Sequence, residues 1–280
     1  MGVSAEDIEQ TLLVAIENDQ MVLPTMPEIA LQVREAASNP DIDIRSLQEI
    51  LLSDASLSAR IVRVANSPLV RGYSSIDNLP AALSRLGVTY SCNLAIGLAT
   101  EQMFQATNEM LDKRLREVWS QSTEVAAIAS VLAQHFTDLE PDKATLAGLT
   151  HQIGTLPILT YVEEHEELLL LENQAELDKI IAQISPSIGR KILQEWKFPE
   201  ALAMVPSAHL DILRNSEETD YADVVIVARL QSYGFENALI EIPPWNSIPA
   251  FNKLGLETDE ESLELDAYSE QLAMAAEVLQ

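Results

Sequence analysis

Ala147-Gly148-Leu149-Thr150-His151-Gln152-Ile153-Gly154 lies near the middle of the 280-residue chain. The stretch reads as helix. Pro141 can open that helix, since the first helical position needs no N–H. Leu146, Leu149, Ile153 and Leu156 recur at helical spacing and face inward. Pro157 is expected to kink or end it. The stretch carries the one cluster in the chain that looks like the remains of a chemical site.

Outward from it, the periodicity is helical nearly everywhere. Upstream, Ser4 followed by Asp7 resembles an N-cap arrangement, and Ile8, Leu12, Leu13 and Ile16 share one face. Leu23-Pro24-Thr25-Met26-Pro27 is an extended linker, and its second proline can start a helix bearing Ile29, Ala30, Val33 and Ala37. Ser46 is expected to cap a short helix, Asp54 the next, and Asn66-Ser67-Pro68 to stop it. Asn78 caps Leu79 to Leu86, and Gly87 closes that helix. Long helices are expected over Val88 to Gln105 and Asp112 to His135.

Downstream, Glu163 to Leu171, Ala175 to Ile184, Ser187 to Trp196 and Pro199 to Leu210 read as four short helices. Tyr221 to Leu230 reads as an apolar core helix. Thr258 caps a last acidic helix over Asp259 to Leu279. No Asn-Gly or Asp-Gly hairpin signal occurs. The spacing predicts an all-α fold with short connectors.

Composition narrows the function classes. Seventeen Lys and Arg stand against 44 Asp and Glu, a formal net charge of -27. Such a surface repels phosphate backbones, which argues against nucleic acid or an anionic membrane as partner and leaves protein partners. Cys92 is the one cysteine; it has no disulfide partner and no CxxC mate, and reads as a buried thiol. No apolar run approaches the ~20 residues of a membrane span, and no signal-peptide pattern opens the chain. The expectation is a cytoplasmic protein.

The motif order resembles the HDOD family, helical output domains related to HD and HD-GYP phosphohydrolases. The matching residues are Leu23-Pro24 with Pro27, Ser53-Asp54-Ala55-Ser56-Leu57 and Val64-Ala65-Asn66-Ser67. Ala81-Ala82-Leu83-Ser84-Arg85-Leu86-Gly87 follows, then Trp119-Ser120-Gln121-Ser122 and Gly148 to Gly154. Gly189 and Trp196-Lys197-Phe198-Pro199 complete the series. The resemblance implies an HD-like multi-helix bundle with an N-terminal helical subdomain. It divides the chain into an arm over 1–20, an HDOD-like domain over 21–230 and a helical extension over 231–280. It assigns structural roles to Pro24, Pro27, Asp54, Asn66, Ser67, Gly87, Trp119, Gly154 and Trp196.

The same resemblance marks departures. The family usually has Asp-Pro where this chain has Asp54-Ala55. HD enzymes have His-Ser after the tryptophan and His-Asp in the central helix, against Gln121-Ser122 and His151-Gln152 here. Arg229 aligns near the last Asp ligand. HD hydrolysis needs a cation to polarise phosphate and activate water, and an amide oxygen is a poor substitute for carboxylate or imidazole. Neither a metal, a cofactor nor a catalytic residue is therefore expected.

Gln121, His151, Gln152, His209 and Arg229 are left as a vestigial HD site or ligand pocket. The bland reading of His151 is a buried histidine that packs and hydrogen-bonds within the bundle. The sharper one is a contact to a small ligand, with Gln121 and Gln152 in an uncharged network around it. Glu163-Glu164-His165-Glu166-Glu167 reads as a solvated helix face, and His135 and His209 as structural. Two functions follow. One is a non-catalytic bacterial signal-transduction module acting through protein contacts, with residues 1–20 and the acidic C-terminal helix as docking elements. The alternative is a residual phosphohydrolase or nucleotide-binding protein.

Overall fold

Local side-chain chemistry sets the helix starts. Asp54 accepts from the Leu57 N–H and opens a helix, and Asn78 does the same for Ala81. Each satisfies one of the orphan donors of a first turn, a contact worth about 1 kcal/mol. Asp43, and not Ser46, caps the helix before these two; its carboxylate accepts from the Ser46 N–H, so the helix begins earlier than its serine suggests. The computed structural model describes residues 14, 23–67, 70, 75–165, 174–232, 242–256 and 279. The expected first helix and the last acidic helix fall almost wholly outside these residues, as does most of Glu163 to Leu171.

Among the described residues the fold is all-α, with no strand. The first helices are α1 (Glu28–Ala37), α2 (Ile44–Leu51), α3 (Ala55–Ala65), α4 (Leu79–Leu86) and α5 (Val88–Ala99). Gly87, at φ 80°, makes the sharp junction between α4 and α5. A side chain would be strained there. A 3₁₀ turn over Thr100–Met103 replaces the expected end of α5. The long helix α6 (Glu109–Phe136) starts three residues before the expected Asp112, because Asn108 accepts from the Met110 and Leu111 N–H groups.

The second half departs more from expectation. The central helix ends at Thr150 as α7 (Pro141–Thr150), a turn follows, and α8 (Thr155–Glu164) begins. Pro157 therefore sits in the first turn of α8, where its missing N–H costs nothing. The two helices expected on either side of Pro186 are one, α9 (Gln174–Glu195), with the proline inside it. Pro199 to Leu210 is two single turns, α10 (Glu200–Ala203) and α11 (Val205–Ala208). The apolar core helix is α12 (Tyr221–Gln231), opened by an Asp220–Asp223 capping box. A further short helix, α13 (Pro249–Lys253), packs against it.

α6 is the axis of the bundle. Its face of Ala126, Ala127, Ala129 and Ala133 is buried, and small residues let neighbouring backbones approach. At Gly148 of α7 an added Cβ would lie 2.4 Å from the Ala126 Cα, so the two helices meet backbone to backbone. α12 is apolar on every side, with Val224, Val225, Ile226, Val227 and Ala228 all inaccessible to solvent, as expected of a helix in a core.

The residues of the family motif mostly hold this frame together. The Trp196 indole N–H donates to the Pro24 carbonyl at 3.0 Å, and Arg34 donates to the Trp196 carbonyl. The extended Leu23–Pro27 segment is thereby stitched to the end of α9. Asn66 closes its loop by donating to the Val62 and Ile76 carbonyls and accepting from the Ile76 N–H. Trp119 is buried against Phe104, with ring centroids 5.3 Å apart. Cys92 is a buried free thiol, its pKa pushed up to about 11 by desolvation.

Candidate functional site

His151 and His209 occupy equivalent local positions. Each is the residue just past a helix end, His151 after α7 and His209 after α11. The last carbonyls of a helix lack intrahelical donors. Each histidine ring adds a donor there, at Val205 alongside the His209 backbone N–H. The His151 Nδ1–H donates to the Gly148 carbonyl at 2.6 Å, and the His209 Nδ1–H donates to the Val205 carbonyl at 3.0 Å. A carbonyl can only accept, so both Nδ1 atoms carry the proton.

Three close approaches at glycines bring these helix ends together. A Cβ on Gly154, three residues after His151, would lie 2.0 Å from the Ser185 carbonyl oxygen of α9. A Cβ on Gly189 would lie 2.7 Å from Pro206, three residues before His209, and 3.3 Å from the Gly154 nitrogen. The two turns are thus clamped on one stretch of α9, beside Pro186. The imidazoles meet edge to face, with ring centroids 5.0 Å apart and planes at 84°.

Both rings are buried and neutral. Desolvation, then the Arg229 charge, lowers the pKa of His151 to about 3, against a smaller rise from the Gly148 carbonyl. His209 is held well below the ordinary range by burial first, then by His151 and Arg229. With Nδ1 protonated, each Nε2 carries its lone pair. The amides stand alongside: the Gln152 Nε2 group donates to Gln121 Oε1 across 3.5 Å. Gln121, His151, Gln152, His209 and Arg229 therefore form one neighbourhood built from α6, the turn after α7, the end of α11 and α12.

The donor set does not fit a divalent metal. It offers two imidazoles, two neutral amides and a guanidinium, which can only donate and repels a cation. Among the described residues there is no group of three or more His, Cys, Asp or Glu side chains able to hold a metal ion.

Sequence reading did not single out the parts that hold the site in place. Arg214 bridges Asp220 and Asp223, at 2.7 Å each, and Lys253 of α13 reaches the same Asp223 at 3.1 Å. This network ties the segment after His209 to the start of α12, the helix that carries Arg229. Pro206 likewise gave no local signal, because its role is a contact with Gly189 of another helix.

A family model, HDOD domain, matches residues 23–212. The chain belongs to the HDOD family. Solved structures share the fold. One from Shewanella amazonensis, which bears the name of a metal-dependent phosphohydrolase, is 30% identical, with 99% of each chain covered and a TM-score of 0.88. An HDOD domain protein of unknown function from Geobacter sulfurreducens is 23% identical, with 97% of this chain and 99% of the other covered and a TM-score of 0.68. A Marinobacter aquaeolei structure named for signal transduction is 21% identical, with a TM-score of 0.63, covering 99% of this chain and 67% of its own. This HDOD chain spans 39% of the length of an uncharacterised Treponema pallidum relative, to which it is 24% identical over 208 residues. No described helix is long and apolar enough to cross a membrane.

Proposed function

We propose that this HDOD chain is a non-catalytic signal-transduction module that acts through contacts with other proteins. The observation that carries the reading is the chemistry around His151. Where an HD phosphohydrolase gathers imidazoles and carboxylates, this chain has a histidine pair beside two amides and the Arg229 guanidinium. Such a set cannot both hold a divalent ion and activate water on it. The net charge of -27 makes basic protein surfaces better partners than nucleic acid or anionic lipid.

The name of the Shewanella amazonensis relative favours a second reading, a residual phosphohydrolase. One experiment separates the two. The purified chain is incubated with Mn²⁺, Co²⁺ and Zn²⁺, analysed for bound metal, and assayed with nucleotides and cyclic dinucleotides. The proposal expects no stoichiometric metal and no turnover above buffer. One equivalent of metal at His151 in the unmodified chain, or turnover of a phosphodiester, overturns it. The protein-contact half fails if affinity capture from the host lysate recovers no protein that binds the chain saturably.

A further inference from the structure

Building on the non-catalytic reading, we propose that Arg229 is a resident cation, its guanidinium standing beside the His151–His209 pair in place of a divalent ion.

The argument begins with the imidazoles. Both spend their single proton on a helix-end carbonyl. Both rings are nearly inaccessible, at 1% and 4% exposure. Their Nε2 lone pairs are therefore acceptors in a dry site. A buried acceptor is costly unless a donor or a cation answers it. In a metalloenzyme the ion does so. Here the side chain whose charge reaches both rings is Arg229. A guanidinium has five donors, no acceptor, and keeps its charge at any working pH.

Its placement is also fixed from a distance. Arg229 lies in the last turn of α12. The first turn of that helix is anchored by the Asp220–Asp223 capping box and by Arg214 and Lys253. A helix held so firmly at one end delivers the side chain at its other end to one place. The site is then closed by a residue, with no dependence on metal supply.

The test uses the full chain and three substitutions, with Co²⁺ and Zn²⁺ as probes. Arg229→Lys keeps a cation, Arg229→Gln removes it, and Arg229→Asp supplies the carboxylate that completes a two-imidazole, one-carboxylate set of the kind found at zinc sites. The unmodified chain and Arg229→Lys should show no change in melting temperature with one equivalent of either ion. Arg229→Gln should melt roughly 5 °C lower. Arg229→Asp should also melt lower, recover with one equivalent of Zn²⁺, and give Co²⁺ ligand-field bands that His151→Ala abolishes. Should Arg229→Asp fail to fold, the Arg229→Gln melting temperature decides alone.

Arg229→Gln melting with the unmodified chain overturns the resident cation and leaves the non-catalytic reading in place. A folded Arg229→Asp that takes no metal does the same. One equivalent of metal bound by the unmodified chain overturns both.

Discussion

His151 and His209 face each other edge to face at 5.0 Å, and each spends its only proton on a carbonyl of its own helix end. A further proton could enter only at an Nε2 lone pair, inside a site closed to solvent. The pair is held neutral by burial and by the Arg229 charge, which outweigh the carbonyl contacts that favour protonation.

A loss of stability in mild acid follows. The folded pKa of both rings lies below the ordinary 6.5, and that of His151 is about 3. The unfolded chain therefore binds more protons than the folded one below pH 6.5. The contribution of the pair is fully present above 6.5 and is lost as pH falls. Each histidine should remove roughly 1.4 kcal/mol per pH unit well below 6.5. Urea unfolding from pH 7.5 to 5 should show this slope, and the His151→Gln, His209→Gln double variant should be flatter. Parallel profiles for the two proteins would rule the account out.

Two glycines should answer differently to the same added methyl. A Cβ at Gly154 meets the Ser185 carbonyl oxygen at 2.0 Å and the Gly189 nitrogen at 2.6 Å, both backbone atoms. A Cβ at Gly97 meets the Leu149 Cδ1 at 2.5 Å, the end of a side chain that can rotate. Gly154→Ala should cost about 3 kcal/mol or more through overpacking. Gly97→Ala should be nearly neutral, since alanine favours a helix interior by about 1 kcal/mol. Chemical denaturation of the two variants checks the contrast, and equal losses would refute it.

The same glycines show what the sequence could and could not disclose. Asp54, Asn78 and Gly87 were legible because each acts on backbone within three or four residues of itself. Asp43 was missed in favour of Ser46, although both are capping residues, because only the backbone shows which one precedes the first turn. Pro157 and Pro186 misled for a related reason. A proline stops a helix only where its neighbours cannot absorb the lost hydrogen bond, and one of these lies in a first turn while the other is inside α9. His151 stood out through its motif. Its meeting with His209 did not, because it depends on close approaches of Gly154 and Gly189 across three helices, and no spacing along the chain encodes those.

The Asp223 network should be worth far more than the ion pairs on the surface. Asp223 is inaccessible to solvent, while Arg214 and Lys253 are mostly covered. Asp223→Ala leaves two covered cations with one carboxylate fewer, and should cost about 3–5 kcal/mol. The exposed Arg45–Glu49 pair, with 85% and 68% of its side chains accessible, is the control. Arg45→Ala should change stability by no more than about 0.5 kcal/mol. Guanidinium unfolding of both variants distinguishes a structural network from a decorative one. Similar small effects would show that Asp223 does not hold α12 in place.

Lys197 offers a prediction in the stabilising direction. It is the one non-glycine at positive φ among the described residues, at 55°. The turn around it is a Schellman end to α9: the Phe198 N–H donates to the Leu193 carbonyl and the Lys197 N–H to the Gln194 carbonyl, both at 2.9 Å. Glycine is the usual residue at that position because it has no Cβ to strain. Lys197→Gly should therefore raise stability by about 1 kcal/mol, the left-handed penalty less the entropy that glycine adds to the unfolded chain. The neighbouring Trp196 is fixed independently, through its N–H to Pro24 and the Arg34 donor on its carbonyl. Trp196→Phe should lose about 1 kcal/mol with the first of these bonds. A double variant should return close to the parent stability, since one change relieves backbone strain and the other removes a hydrogen bond of similar worth. A thermal melt of the two single variants and the double one tests this, and a destabilised Lys197→Gly would mean that the lysine side chain itself contributes to the turn.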